Sequence, residues 1–163
     1  DSGNVHFAVY GYFNRGRHEG ETGISVFFYD SVMNSIEELL YVPYEGSWEI
    51  LKCDVEKLCY LNQSGQFYVY LNRGIHEINL NTMEEKDLIR LTGADTLYTS
   101  QNHQIVLWDQ GDSLQVWNLE KQSQNAIVSK TDESMQAFGF MGGDIICGAI
   151  RHSDIVEELF MNK

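Results

Sequence analysis

The segment 12–19 (YFNRGRHE) returns at 70–77 (YLNRGIHE), with six of the eight positions identical. A chain that repeats itself is built from copies of one supersecondary unit, so this echo limits the fold more than any other feature. Around it, short apolar runs alternate with turn residues. The segments 5–13, 24–29 and 36–42 are rich in aromatic and β-branched residues, and the last of them ends at Pro43. The run EELL within 36–42 is too soon followed by Tyr-Val-Pro to continue as a helix.

Beyond residue 57 a unit becomes visible. Strands are expected at 57–61, 66–71, 75–80 and 87–91, and again at 96–99, 104–108, 113–119 and 125–129. Tyr60 answers Tyr98, and Leu80 answers Leu119. The displacement is about 40 residues, the length of a four-stranded propeller blade. A further copy begins with 135–140 and 145–150, and 155–160 (IVEELF) partly continues it. The expected units are 5–56, 57–94, 95–134 and a partial 135–163. The first carries surplus material, the GETG loop and 48–53 (WEILKC), which accounts for the wider spacing of the NRG echo.

The segments 114–119 (LQVWNL) and 75–80 (IHEINL) resemble the third blade strand of WD40-type and related β-propellers, which often reads x-V-W-D-L. The resemblance covers about residues 57–150. The Gly-His dipeptide that opens many such blades is absent, and Trp108-Asp109 closes a second strand rather than a third. The looser kinship is with the irregular propellers of bacterial secreted and cell-surface proteins. The resemblance implies an all-β fold of antiparallel, four-stranded blades, forming an incomplete arc of a larger propeller. Unclosed arcs expose strand edges, which leads to an expectation of self-association through them.

Composition agrees with strands and excludes several partners. The chain is 43% hydrophobic and 12% aromatic, with fourteen glycines and one proline. Its net charge of −13 repels nucleic-acid phosphates and anionic membrane surfaces. No apolar run approaches the ~20 residues of a membrane helix. The lack of a methionine at Asp1 leads to the expectation of a processed or excised segment, weighted towards an extracellular or cell-surface setting.

Chemical motifs are few. The three cysteines, Cys53, Cys59 and Cys147, fit no common zinc spacing and are expected as small hydrophobes buried in strands; a Cys53–Cys59 disulfide is the alternative. The five histidines show no ligand spacing, so neither a metal nor a cofactor is expected. His18 and His76 occupy matching positions of the echo, which points to a shared structural role. The pairs Glu37-Glu38, Glu84-Glu85 and Glu157-Glu158 are read as solvated, because neighbours on a strand face opposite ways. There is no GxSxG, P-loop or GxGxxG.

Two features suggest recognition. The loop 14–23 gathers Arg15, Arg17 and His18 in an otherwise acidic chain, with Glu19 and Glu21 beside them. Arginines there suit a carboxylate or a sugar. Trp48 near Tyr44 offers an aromatic surface for a sugar. The NRG turns themselves read first as hairpin chemistry, with Asn and Gly supplying the positive φ angles. The expectation is a non-catalytic module that binds a protein or glycan through blade-edge loops. The alternative is part of a carbohydrate-active hydrolase, with acids converging from separate blades.

Overall fold

A computed structural model describes residues 3–92 and 96–151. The expected continuation at 155–160, His152, Asp95, the Glu157-Glu158 pair and the unit boundary at 94–95 lie outside the described residues.

The chain is all-β with one short helix, and every sheet is antiparallel. The first sheet is a meander of β1 (Val5–Tyr12), β2 (Thr22–Asp30) and β3 (Ser35–Pro43). The second holds β4 (Cys59–Leu61), β5 (Gln66–Leu71), β6 (Gly74–Asn79) and β7 (Glu85–Arg90) in chain order. The third repeats that order with β8 (Leu97–Thr99), β9 (Ile105–Gln110), β10 (Ser113–Asn118) and β11 (Ser123–Val128). The last is the hairpin β12 (Glu133–Met141) and β13 (Asp144–Arg151). The second and third sheets therefore share one strand order. Tyr60 lies opposite Tyr68 and Tyr98 opposite Leu107, so the two tyrosines occupy the same place. The expectation of four strands throughout is corrected at the ends, where the described residues supply three and two.

Strand alternation explains how the sheets pack. Successive side chains point to opposite faces, so a strand buried on both sides can serve two cores. In β5, Phe67, Val69 and Leu71 join Ile24, Val26 and Leu40 of the first sheet. Tyr68 and Tyr70 of the same strand join Val106 and Trp108 of the third. In β9 the intervening Leu107 turns to Ala137 of the fourth. The sheets thus stack face to face in chain order. Among the described residues no apolar cluster joins the first sheet to the last.

The surplus segment after β3 is a helix, α1 (Trp48–Lys57). The strand expected from residue 57 accordingly starts later, at Cys59. Leu51 and Val55, one turn apart, are buried against the first two sheets. Glu49 in the first turn and Lys57 in the last suit the helix dipole. Asp54 lies on the buried side of α1. Its carboxylate accepts a hydrogen bond from the Tyr44 hydroxyl at 3.3 Å and from the Asn72 amide at 3.0 Å, which ties the helix to the second NRG turn.

That turn uses a different pair of residues from the one expected. Asn72 and Arg73 take positive φ, 49° and 66°, as a two-residue hairpin requires. Gly74 opens β6 instead, where an added Cβ would lie 3.0 Å from the Ile89 carbonyl oxygen. The cysteines also depart from expectation. All three are free, Cys53 and Cys147 are exposed, and Cys53 sits on the helix. Burial pushes the thiol of the partly buried Cys59 up to about 11.

Candidate functional site

The loop between β1 and β2 folds back on itself before β2 begins. Phe13 and Glu21 are bonded N–H to carbonyl at 2.8 Å, and the Gly20 amide returns to the Phe13 carbonyl at 2.8 Å. This closure places His18 over the first sheet. Its imidazole lies flat on the Tyr41 ring of β3, with centroids 3.5 Å apart and planes 9° from parallel. Phe13 meets both rings edge-on, at 6.0 Å and 5.9 Å.

Beneath the histidine lies Glu38. A register shift in the β2–β3 ladder sets Glu38 opposite Phe27, on the face away from the second sheet. The His18 Nε2 is 2.9 Å from one Glu38 oxygen, and the Ser25 hydroxyl donates to the same oxygen at 2.6 Å. Arg17 donates to the other oxygen at 3.3 Å. The Glu38 side chain is only 16% exposed, and Ser25 is fully buried. Partial burial disfavours the carboxylate. The hydrogen bonds from Ser25 and His18 and the charges of His18 and Arg17 outweigh it, so Glu38 is held below the usual glutamate value. Glu21 stands on the other side of His18, 3.7 Å from Nδ1. Burial, a hydrogen bond with Glu21 and the neighbouring carboxylates push the Tyr41 phenol up to about 12.

Glycine is required once here. A Cβ on Gly23 would lie 2.6 Å from the Val42 carbonyl oxygen and 2.7 Å from the Tyr41 hydroxyl. Its absence lets β3 and the Tyr41 ring close over β2.

The residues singled out in the sequence separate into two groups. Arg17 and His18 converge on Glu38. Arg15 is exposed on the same loop and takes part in none of the ion pairs among the described residues. Tyr44 is 7% exposed, packed in the first core with its hydroxyl on Asp54. Trp48 is 48% exposed at the start of α1. No ring contact joins Tyr44 and Trp48, so they do not form one aromatic surface. The solvated reading of Glu38 is corrected: Glu37 is exposed, but its neighbour is the anchor of the loop. Ser25, Tyr41 and Glu38 were not legible as a group, because a bulge decides which way Glu38 points.

His18 and His76 play parallel parts. His76 Nδ1 lies 2.7 Å from Asp87 on β7, as His18 meets Glu38 on β3. Each histidine holds a carboxylate on the third strand of its meander.

Chemically the cluster is a clamp. Ser25 donates its hydroxyl to the Glu38 carboxylate and is fully buried, so it serves to anchor that carboxylate. The Arg17 side chain remains 79% exposed although it donates to Glu38, and Arg15 on the same loop is exposed as well. Among the described residues no group of three or more His, Cys, Asp or Glu side chains is placed to hold a metal ion. No helix among them is long and apolar enough to cross a membrane. No protein-family model matches the chain, and no curated protein matches it in sequence.

Proposed function

We propose that this chain is a non-catalytic binding or scaffolding module, an arc of propeller-like blades within a larger protein. It recognises a protein or glycan through the loop 14–23 at the edge of its first sheet. The observation that carries this reading is the clamp on Glu38. It holds the loop against the sheet and leaves Arg15 exposed and Arg17 turned largely outward. A rigid backbone presenting two guanidinium groups suits bidentate hydrogen bonding to a carboxylate or to vicinal hydroxyls.

The blade reading has separate support in the stacking of four sheets in chain order. Both ends of the stack expose apolar side chains. Val5, Phe7 and Val9 are 50%, 38% and 44% exposed on the first sheet, and Phe138 is 59% exposed on the last. Further blades would cover these faces.

The test is a thermal-shift screen against acidic peptides and acidic and neutral glycans, repeated with the Arg15→Ala/Arg17→Ala variant. A ligand specific to the folded state raises Tm by an amount that grows with the logarithm of its concentration over Kd. The expected result is a shift in the native chain that the double variant loses while keeping its own unliganded Tm. A shift of equal size in both proteins would overturn the assignment to this loop.

A further inference from the structure

Among the described residues the first sheet lacks a strand that the next two possess. In the second sheet β4 pairs with β5, and in the third β8 pairs with β9. Both added strands are three residues long and carry a central tyrosine, Cys-Tyr-Leu and Leu-Tyr-Thr. The strand of the first sheet equivalent to β5 is β1. Each opens a three-strand meander, and the echoed segment starts at the end of each. β1 pairs with β2 alone, so among the described residues its other edge has no strand partner, although helix α1 comes close to β1.

All but the first residue of β5 are buried, whereas none of β1 is; β5 lies between two sheets, and β1 belongs to an end sheet and lacks a strand on one side. Edge strands are usually blunted by charge, proline or a covering element. β1 reads VHFAVYGY, with no Lys, Arg, Asp, Glu or Pro.

A groove lies beside this edge. It measures about 190 Å³ and is bounded by Ala8, Val26, Phe67 and the strand β4 at Cys59, Tyr60 and Leu61. A wider cleft of about 470 Å³ continues past His6 along Phe28 and Leu39 to the turn at Asn62 and Gln63. The sister sheets show what occupies such a place. Tyr60, opposite Tyr68, packs into the core shared with the third sheet, and Tyr98 packs into the core shared with the fourth. A residue added opposite Ala8 would face the second sheet in the same way and enter this groove.

We infer that the open edge of β1 receives an extended segment of a partner polypeptide, which adds as a fourth, antiparallel strand and sets an aromatic side chain, flanked by apolar residues, into the groove beside Ala8. Main-chain hydrogen bonds would supply affinity and the groove specificity. The site is separate from the arginine loop.

The probe is a fluorescent peptide with the sequence of residues 57–63 and serine in place of its cysteine, titrated with the full chain. The control peptide carries proline in place of the tyrosine. Hydrogen exchange is followed on β1 with and without peptide. The expected results are saturable binding, at least about tenfold weaker binding of the proline peptide, which loses both a ladder donor and the aromatic ring, and new protection of the β1 amides that β2 leaves unbonded. The Arg15→Ala/Arg17→Ala variant should bind the peptide unchanged, which keeps this test distinct from that of the loop. Three outcomes would overturn the inference: no binding, equal binding of the proline peptide, or β1 amides already protected without peptide, which would mean that the chain itself or a second copy fills the edge.

Discussion

The His18 imidazole is stacked on Tyr41 at 3.5 Å and bonded through Nε2 to Glu38 at 2.9 Å, so one side chain joins the loop to two residues of β3. Stacking fixes the ring plane, and the carboxylate fixes its rotation within that plane. Removing the ring should therefore free the loop without unfolding the sheets. For His18→Ala we expect faster proteolysis within 14–21 and only a small loss of Tm. Limited proteolysis followed by mass spectrometry checks this, and intact loop protection would refute it.

Glu38 links the clamp to acid stability. Its carboxyl is held below 4.5 when folded, so the unfolded chain binds more protons through that range. The contribution is present above the unfolded value and is lost as pH falls through the folded one. Melting curves from about pH 6 to about pH 3 should show the native chain losing stability more steeply than Glu38→Gln. Parallel curves would remove Glu38 from the account.

At alkaline pH the sign is reversed for Tyr41. Its phenol is pushed from 10 to about 12, so the unfolded chain loses the proton first. The stabilisation is complete below pH 10 and disappears as pH rises through about 12. Subtracting the tyrosinate absorbance titration of Tyr41→Phe from that of the native chain should leave a step centred near the upper value. A step near 10 would contradict the burial and the Glu21 hydrogen bond.

Thiol reactivity follows exposure. Cys53 and Cys147 are exposed, whereas Cys59 is partly buried with its thiol raised to about 11. The thiolate is the reactive form. A brief maleimide pulse with peptide mapping should label Cys53 and Cys147 well before Cys59, and fast labelling of Cys59 would be inconsistent with its packing.

Core substitutions separate two kinds of burial. Leu51 is fully buried between α1 and the first two sheets, so Leu51→Ala should cost about 3 kcal/mol in urea unfolding. Tyr68 is also fully buried, yet its hydroxyl has no hydrogen-bond partner among the described residues. An unpaired buried hydroxyl costs about 1–3 kcal/mol, so Tyr68→Phe should leave stability unchanged or raise it by about 1 kcal/mol. A marked loss would show that the hydroxyl is satisfied after all.

Much of this fold was legible along the chain. Strands at 66–71 and 113–119, the turns between them and the place of Trp108-Asp109 at the end of a second strand all agree with the structure to within a residue or two. Their signals are local: period-two alternation, aromatic and β-branched residues, and turn residues at fixed offsets. The helix was missed although Leu51, Val55 and Leu58 carry a helical spacing. A strand pattern on either side, and a length of only ten residues, masked it.

Sequence alone determined the all-β class and most strand positions, because these depend on neighbours a few residues apart. Tertiary structure decided which charges are anchored. Glu37 and Glu38 are indistinguishable in the sequence, and only the register shift between Val26 and Phe27 sets one beneath His18. It likewise decided that Tyr44 is buried on Asp54 while Trp48 stays exposed, and that β1 keeps an open edge where β5 does not. Such outcomes depend on which face a residue presents and on what packs there. That is settled by contacts between segments far apart in the chain.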